Sequence, residues 1–322
     1  MSARSVVLVS LLVVLVYGGI VLWGDVQRLR AVLEAFAWSS LGAALALASM
    51  NYVIRWLKWE FYLARLGITG VPKAESAVIF LSAFVMSITP GKAGEVFKSA
   101  LLASARAVPV ARSAPIVVAE RLTDLLALIL LVALGGLWFP DGAVYAIAAA
   151  ALVGGVMLFV LSERLTHGVI DLAARTGPGA RLAPRLRDAY DSLRVVASPS
   201  ALVIPTALSV VAWGCECLAL WMILRGLGAS AGLAVASFSY ATATVAGAVA
   251  MLPGGVGGFE PVMLALLPKL TSGAIAGEVA RAATILVRLA TLWFAVLVGA
   301  AALAVFRRRY DRARQAQDSA TT

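Results

Sequence analysis

The residues in this chain with the means to do chemistry are charged or glycine-rich groups set in apolar surroundings. Glu120, Arg121 and Asp124 open an apolar stretch over 113 to 138, with Glu120 and Asp124 four apart and so on one helical face. Arg281 and Arg288 stand seven apart on one face of the last apolar stretch. Two segments, Pro90-Gly91-Lys92-Ala93-Gly94-Glu95 and Pro253-Gly254-Gly255-Val256-Gly257 with Glu260 just beyond, share the pattern P-G-x-x-G. Proline removes an N–H and glycine lets the backbone turn, so each segment predicts a half-helix that begins with free N–H groups and a positive dipole end. Such an end suits an anion. Lys92 and Lys98 add positive charge to the first segment, while Glu95 and Glu260 would either cap the half-helix or carry a proton.

Charge in lipid is costly enough that it is retained for an ion, a substrate or a structural pair. Asp124 falls opposite Arg288 when the two halves of the chain are aligned, so acid and base are expected to pair across the halves; ion pairs that only fix helix packing are the alternative. Glu216, in the middle of another apolar stretch, ranks below these as helix-pair glue. Soluble catalytic signatures are missing: there is no phosphate-binding P-loop, no G-x-S-x-G and no His-rich metal spacing. The single histidine, His167, reads as a surface residue. Cys215 and Cys217 point to different sides of a helix and form no ordinary disulfide. No metal, no other cofactor, no soluble catalytic domain after residue 305 and no enzymatic activity are expected.

The elements that must position these groups are membrane helices. Of the 322 residues 61% are hydrophobic and 14% charged, far from the balance of a soluble domain. Alternating apolar and polar positions are absent, so the predicted fold is an all-α polytopic bundle rather than a barrel. Spans are expected over 5–23, 40–62, 74–89, 113–138, 143–161, 201–224, 231–251 and 282–305, with broken or re-entrant segments over 87–104 and 252–276. The net charge of +10 sits mostly between apolar runs without interleaved aromatics, which argues for topology and anionic lipid at the cytoplasmic face, not nucleic acid. Arginines in the 162–200 loop and in the tail place both in the cytoplasm, and Asp141 outside. The two broken segments must then each supply a passage, which puts both termini inside.

That count exposes an internal repeat. Arg65-Leu66-Gly67, a span and Pro90 to Gly94 are echoed by Gly226-Leu227-Gly228, a span and Pro253 to Gly257. The repeats would cover 40–161 and 201–305 in opposite orientation, within a single domain over 1–322, a pattern that points to a transporter with its site between the halves. The linker over 162–200 places Leu182, Leu186, Tyr190, Leu193 and Val196 on one side, as an amphipathic helix on the cytoplasmic surface does.

Three stretches together resemble the lysylphosphatidylglycerol synthase transmembrane family: Thr89 to Val96 with Lys98, Glu120-Arg121-Leu122-Thr123-Asp124, and Leu252 to Glu260. The family includes the flippase part of the bacterial multiple peptide resistance factor. The resemblance implies movement of a phospholipid or another lipid-linked anionic headgroup between leaflets of a bacterial cytoplasmic (inner) membrane. The expected headgroup contacts are Lys92, Arg121, Arg281 and Arg288 with Pro90, Gly91, Gly94, Pro253, Gly254 and Gly257, and the expected proton carriers or counter-charges are Glu95, Glu120, Asp124 and Glu260. A membrane-embedded enzyme acting on a lipid headgroup, with Glu120 and Asp124 as acid and base, and a scaffold for lipid synthesis are the alternatives. An oligomer is left open.

Overall fold

The computed structural model describes residues 25–89, 95–139, 142–175, 187, 190, 194 and 199–320, and the regular elements among them are all helical. The expected first span over 5–23, Pro90, Gly91, Lys92, Gly94 and Asp141 lie outside the described residues, as does most of the expected 182–196 helix.

Helix α1 (Val26–Glu34) starts at Asp25, whose Oδ1 accepts the N–H of Gln27 and Arg28 at 3.0 and 3.1 Å. It bends by 81° into α2 (Trp38–Arg65), which stops at Gly67 in the left-handed region (φ +63°). Helix α3 (Lys73–Ser82) tightens into a 3-10 helix over Ala83–Ile88, so the expected 74–89 span changes helix type part-way. After it come α4 (Phe97–Arg106), α5 (Val110–Gly136), α6 (Gly142–Leu161), α7 (Glu163–Ala174), α8 (Pro199–Gly226) and α9 (Leu233–Val249). A 3-10 turn at Pro253–Gly255 leads into α10 (Phe259–Leu270). The last helix is continuous: α11 (Gly277–Arg288) passes through a π turn at Leu289–Trp293 into α12 (Phe294–Ala320).

Lipid-scale lengths follow from composition. Leu202–Gly226 and Gly277–Arg309 are long and apolar enough to cross a bilayer, and the bent pair α1–α2 is a third such stretch. Helix α5 has 27 residues, about 40 Å at 1.5 Å per residue, but carries its charges between Arg112 and Asp124. Helix α10, with 12 residues, reaches about 18 Å and covers only part of a hydrocarbon core about 30 Å thick. It is a half-length helix, preceded by the glycine turn, as the P-G-x-x-G pattern predicts.

Apolar packing forms two main clusters. One joins α8, α9, α10 and α11 to the far half of α5 through residues such as Leu128, Leu220, Met263 and Leu286. The other joins α2, α3 and α4 to the start of α5 and to α12 through residues such as Trp59, Phe80, Ile116 and Phe306. Thus α2 lies along α8, α5 packs on α9, and α12 packs on α3 and the 3-10 turn after it. The described parts of the linker include α7 and residues 187, 190 and 194, and Tyr190 is buried against Ile170 of α7 and packs edge-on with His167 at 5.5 Å.

The α12 contact is very close. A Cβ on Gly299 would stand 2.4 Å from the Val85 nitrogen and 2.8 Å from the Phe84 carbonyl carbon, which are backbone atoms that cannot swing away. Gly299→Ala is therefore expected to destabilise the protein by about 1–3 kcal/mol, as overpacking does. The check is the thermal midpoint of the detergent-purified protein against Gly154→Ala, where the new methyl meets nothing within 4 Å. Equal midpoints for the two variants would show that α12 and the 3-10 turn separate freely.

Candidate functional site

Helix α5 begins after Pro109 and turns Glu120, Thr123 and Asp124 inward, all of them buried. Asp124 is met by Lys58 of α2, only 1% exposed, whose ammonium donates to Asp124 Oδ1 at 2.6 Å and to Ser209 Oγ of α8 at 2.7 Å. The Ser209 hydroxyl donates in turn to Asp124 Oδ1 at 2.9 Å. One turn earlier on α2, Arg55 lies 3.9 Å from Asp124 and 4.0 Å from Glu95, with its guanidinium over the rings of Phe84 and Trp213. Arg121 reaches the two oxygens of Glu95 at 2.5 and 2.6 Å and Asp124 at 3.6 Å. Its side chain is still 30% exposed, more than any of its ion-pair partners.

Glu120 points elsewhere. It pairs with Lys98 of α4, whose ammonium also lies 4.6 Å from the Trp59 ring and 5.4 Å from the Phe80 ring. Both residues are buried in the cluster built by α2, α3 and α4, so this pair pins α4 to α5.

The second glycine segment is built differently from an open anion hole. Gly254, Gly255 and Gly257 have φ of +62°, +70° and +88°, a region in which a side chain is strained. The N–H of Gly257 donates to Glu260 Oε2 at 2.7 Å, so the protein's own carboxylate caps the turn. Arg288 donates to the Gly254 carbonyl at 2.7 Å, lies 3.0 Å from Glu260 Oε1, and stacks over Phe259. Gly247 of α9 faces Gly255 across the turn, where a Cβ would stand 3.2 Å from the Gly255 oxygen.

Between the two clusters lies a cavity of about 460 Å³. Its polar wall is made by Arg55, Arg121, Asp124, Glu216 and Arg288, and its apolar wall includes Phe84, Leu128, Trp213 and Phe259. Glu216 accepts from the Tyr240 hydroxyl at 2.5 Å, and both side chains line the cavity. Tyr52, another lining residue, donates at 3.2 Å to the Thr291 carbonyl inside the π turn.

Several sequence expectations change here. Asp124 and Arg288 both face the cavity, but they pair with Lys58 and with Glu260, not with each other. Arg281 is not among the lining residues: it is held at the start of α11 by Glu278 at 2.5 Å, two turns before Arg288. Gly254 lines the cavity, whereas Pro253 and Gly257 belong to the turn behind it. Arg55, Lys58, Ser209 and Tyr240 escaped sequence reasoning. The signal was present for Arg55 and Lys58, two cations three apart inside the 40–62 span, a placement as costly as that of Glu120. Among the described residues no group of three His, Cys, Asp or Glu is placed to hold a metal ion.

An all-helical bundle with half-length helices, a glycine turn and an ion-paired cavity among apolar clusters is a polytopic α-helical membrane protein. Residues 7–299 match the family described as Lysylphosphatidylglycerol synthase TM region, and the chain belongs to that family. It is also similar to a UPF0104 membrane protein of Methanothermobacter thermautotrophicus, with 24% identity over 178 residues, which are 49% of this chain and 52% of the relative. The chain thus spans about half the length of that curated relative. The family places the protein among membrane proteins of lipid handling.

Proposed function

We propose that the protein moves a phosphate-bearing anionic lipid headgroup between the leaflets of the cytoplasmic membrane, through the cavity between its two halves. The observation that carries this reading is the cavity wall, where Arg55, Arg121 and Arg288 outnumber the acids Asp124 and Glu216 and the rest of the lining is largely apolar. Guanidinium forks match phosphate oxygens, and apolar walls suit the glycerol and first methylenes of a lipid. Two features support an arrangement of inverted halves. In each half an acid that follows a glycine segment pairs with an arginine of a later helix, Glu95 with Arg121 and Glu260 with Arg288. The packing is reciprocal as well, with α5 on α9 and α12 on α3.

The test is reconstitution into liposomes with labelled phosphatidylglycerol and a quencher added outside. Transbilayer movement well above that of empty vesicles is expected, with the lipid recovered unchanged. Chemically altered lipid would replace this reading with a membrane-embedded enzyme, and neither movement nor conversion would leave a scaffold.

A further inference from the structure

Resting on the headgroup reading above, we propose that the anion enters by taking Arg55 and Arg121 from Glu95, and that Glu95 takes up one proton from bulk water as this happens.

Glu95 is 8% exposed, with both carboxylate oxygens on Arg121 and with Arg55 at 4.0 Å. These same two arginines line the cavity, and Arg121 is the more open of them. A phosphodiester reaching the cavity's polar wall from its apolar side therefore meets guanidinium groups already engaged by a carboxylate. Two anions sharing two cations in a poorly solvated site repel each other, and the weaker acid of the pair takes the proton. A phosphodiester is far more acidic than a carboxylic acid, so the proton goes to Glu95. The exchange is balanced: one negative charge and one proton enter, and the net charge of the site is unchanged.

The surrounding charges direct the proton to Glu95. Asp124 of α5 also lies near these arginines, 3.6 Å from Arg121 and 3.9 Å from Arg55, but it holds in addition the ammonium of Lys58 and the hydroxyl of Ser209, which do not line the cavity. Glu120 of α5 is held by Lys98 of α4 outside the cavity wall. On the far side Glu216 of α8 is bonded to Tyr240, and Glu260 of α10 is committed to the Gly257 N–H and Arg288. Glu95 has both of the arginines that the anion needs as ion-pair partners, and it holds Arg121 at 2.5 Å where Asp124 stands 3.6 Å away. Lipid movement is then tied to proton movement, and a pH difference across the membrane biases its direction.

The test uses the full chain in phosphatidylcholine nanodiscs, titrated with short-chain phosphatidylglycerol and read by tryptophan fluorescence, since Trp213 lines the cavity. The phosphodiester keeps its single charge over the range used. The expected result is a Kd that tightens as pH falls, by up to about tenfold per pH unit, between about pH 8 and about pH 5. An indicator dye in weak buffer should show uptake of about one proton per lipid bound. Glu95→Gln should bind with a Kd independent of pH, near the native value at low pH. A flat native Kd without proton uptake, while binding persists, overturns the proposal and leaves the headgroup reading standing. Native-like pH dependence in Glu95→Gln overturns Glu95 as the acceptor. Absence of binding at every pH in both proteins overturns the headgroup reading itself. Equal affinity for glycerophosphorylglycerol, which has the same phosphodiester and no chains, keeps the proton step and overturns the lipid source. Proton uptake is read on the native protein, so a misfolded variant does not remove the test.

Discussion

Arg121→Gln should slow phosphatidylglycerol movement in reconstituted vesicles by about 10- to 100-fold while leaving an assembled protein. A hydrogen bond to a charged group is worth about 1.5–3 kcal/mol, and about 1.4 kcal/mol is a factor of ten. Arg121 is the cation for which this loss bears most directly on an incoming anion, because its side chain is 30% exposed whereas those of Arg55 and Arg288 are 13% and 8% exposed. Folding is spared for a related reason: Glu95 still has Arg55 at 4.0 Å, and Asp124 still has Lys58 at 2.6 Å. Arg121→Lys should fall between the two, since it keeps the charge but loses the planar fork. A folded Arg121→Gln protein that moves lipid at the native rate would show that this arginine only holds Glu95 in place.

Lys58→Met should act on stability first. Its ammonium is 1% exposed and makes the shortest contact that Asp124 has, and it also donates to the hydroxyls of Ser209 and Thr123 at 2.7 and 3.4 Å. Removing one member of a buried pair leaves an uncompensated charge and costs about 3–5 kcal/mol. The lower end applies here, because Arg121 and Arg55 remain at 3.6 and 3.9 Å from Asp124. Adding Asp124→Asn should restore most of the loss, since the amide carries no charge to compensate. The measurement is the thermal midpoint and the monodisperse yield in detergent for both single variants and the double variant. A Lys58→Met protein as stable as the native one, or a double variant worse than the sum of the singles, would show that Lys58 is not the counter-charge of Asp124.

Most of the helical architecture is legible in the sequence, because the signals for it are local. Long apolar runs leave a chain no option but helices in lipid, since each backbone N–H and C=O must be satisfied within its own segment. The glycines before Phe259 announce a turn that only they adopt without strain, and the structure places φ of +62°, +70° and +88° there. The 3-10 turn at Ala83–Ile88 and the π turn at Leu289–Trp293 had no such signal. The former sits where α12 presses Gly299 against it, and the latter where Tyr52 reaches the Thr291 carbonyl, and both contacts join distant parts of the chain.

For the site, the sequence by itself determined which residues are expensive: charges at 95, 120, 121, 124, 260 and 288 inside or beside apolar runs, and with them the family. Only the tertiary structure decided how those charges are used. Asp124 goes to Lys58, 66 residues away, and Glu120 to Lys98, 22 residues away, although the two acids lie on one face of α5. Arg288 is taken by Glu260 and the Gly254 carbonyl, and Arg281, two turns earlier, ends outside the cavity. The physical reason is that a charge's cost depends on its immediate surroundings, which hydropathy reports. Its partner depends on where helices cross, because a contact ion pair needs its N and O atoms within about 4 Å, less than one turn of a helix.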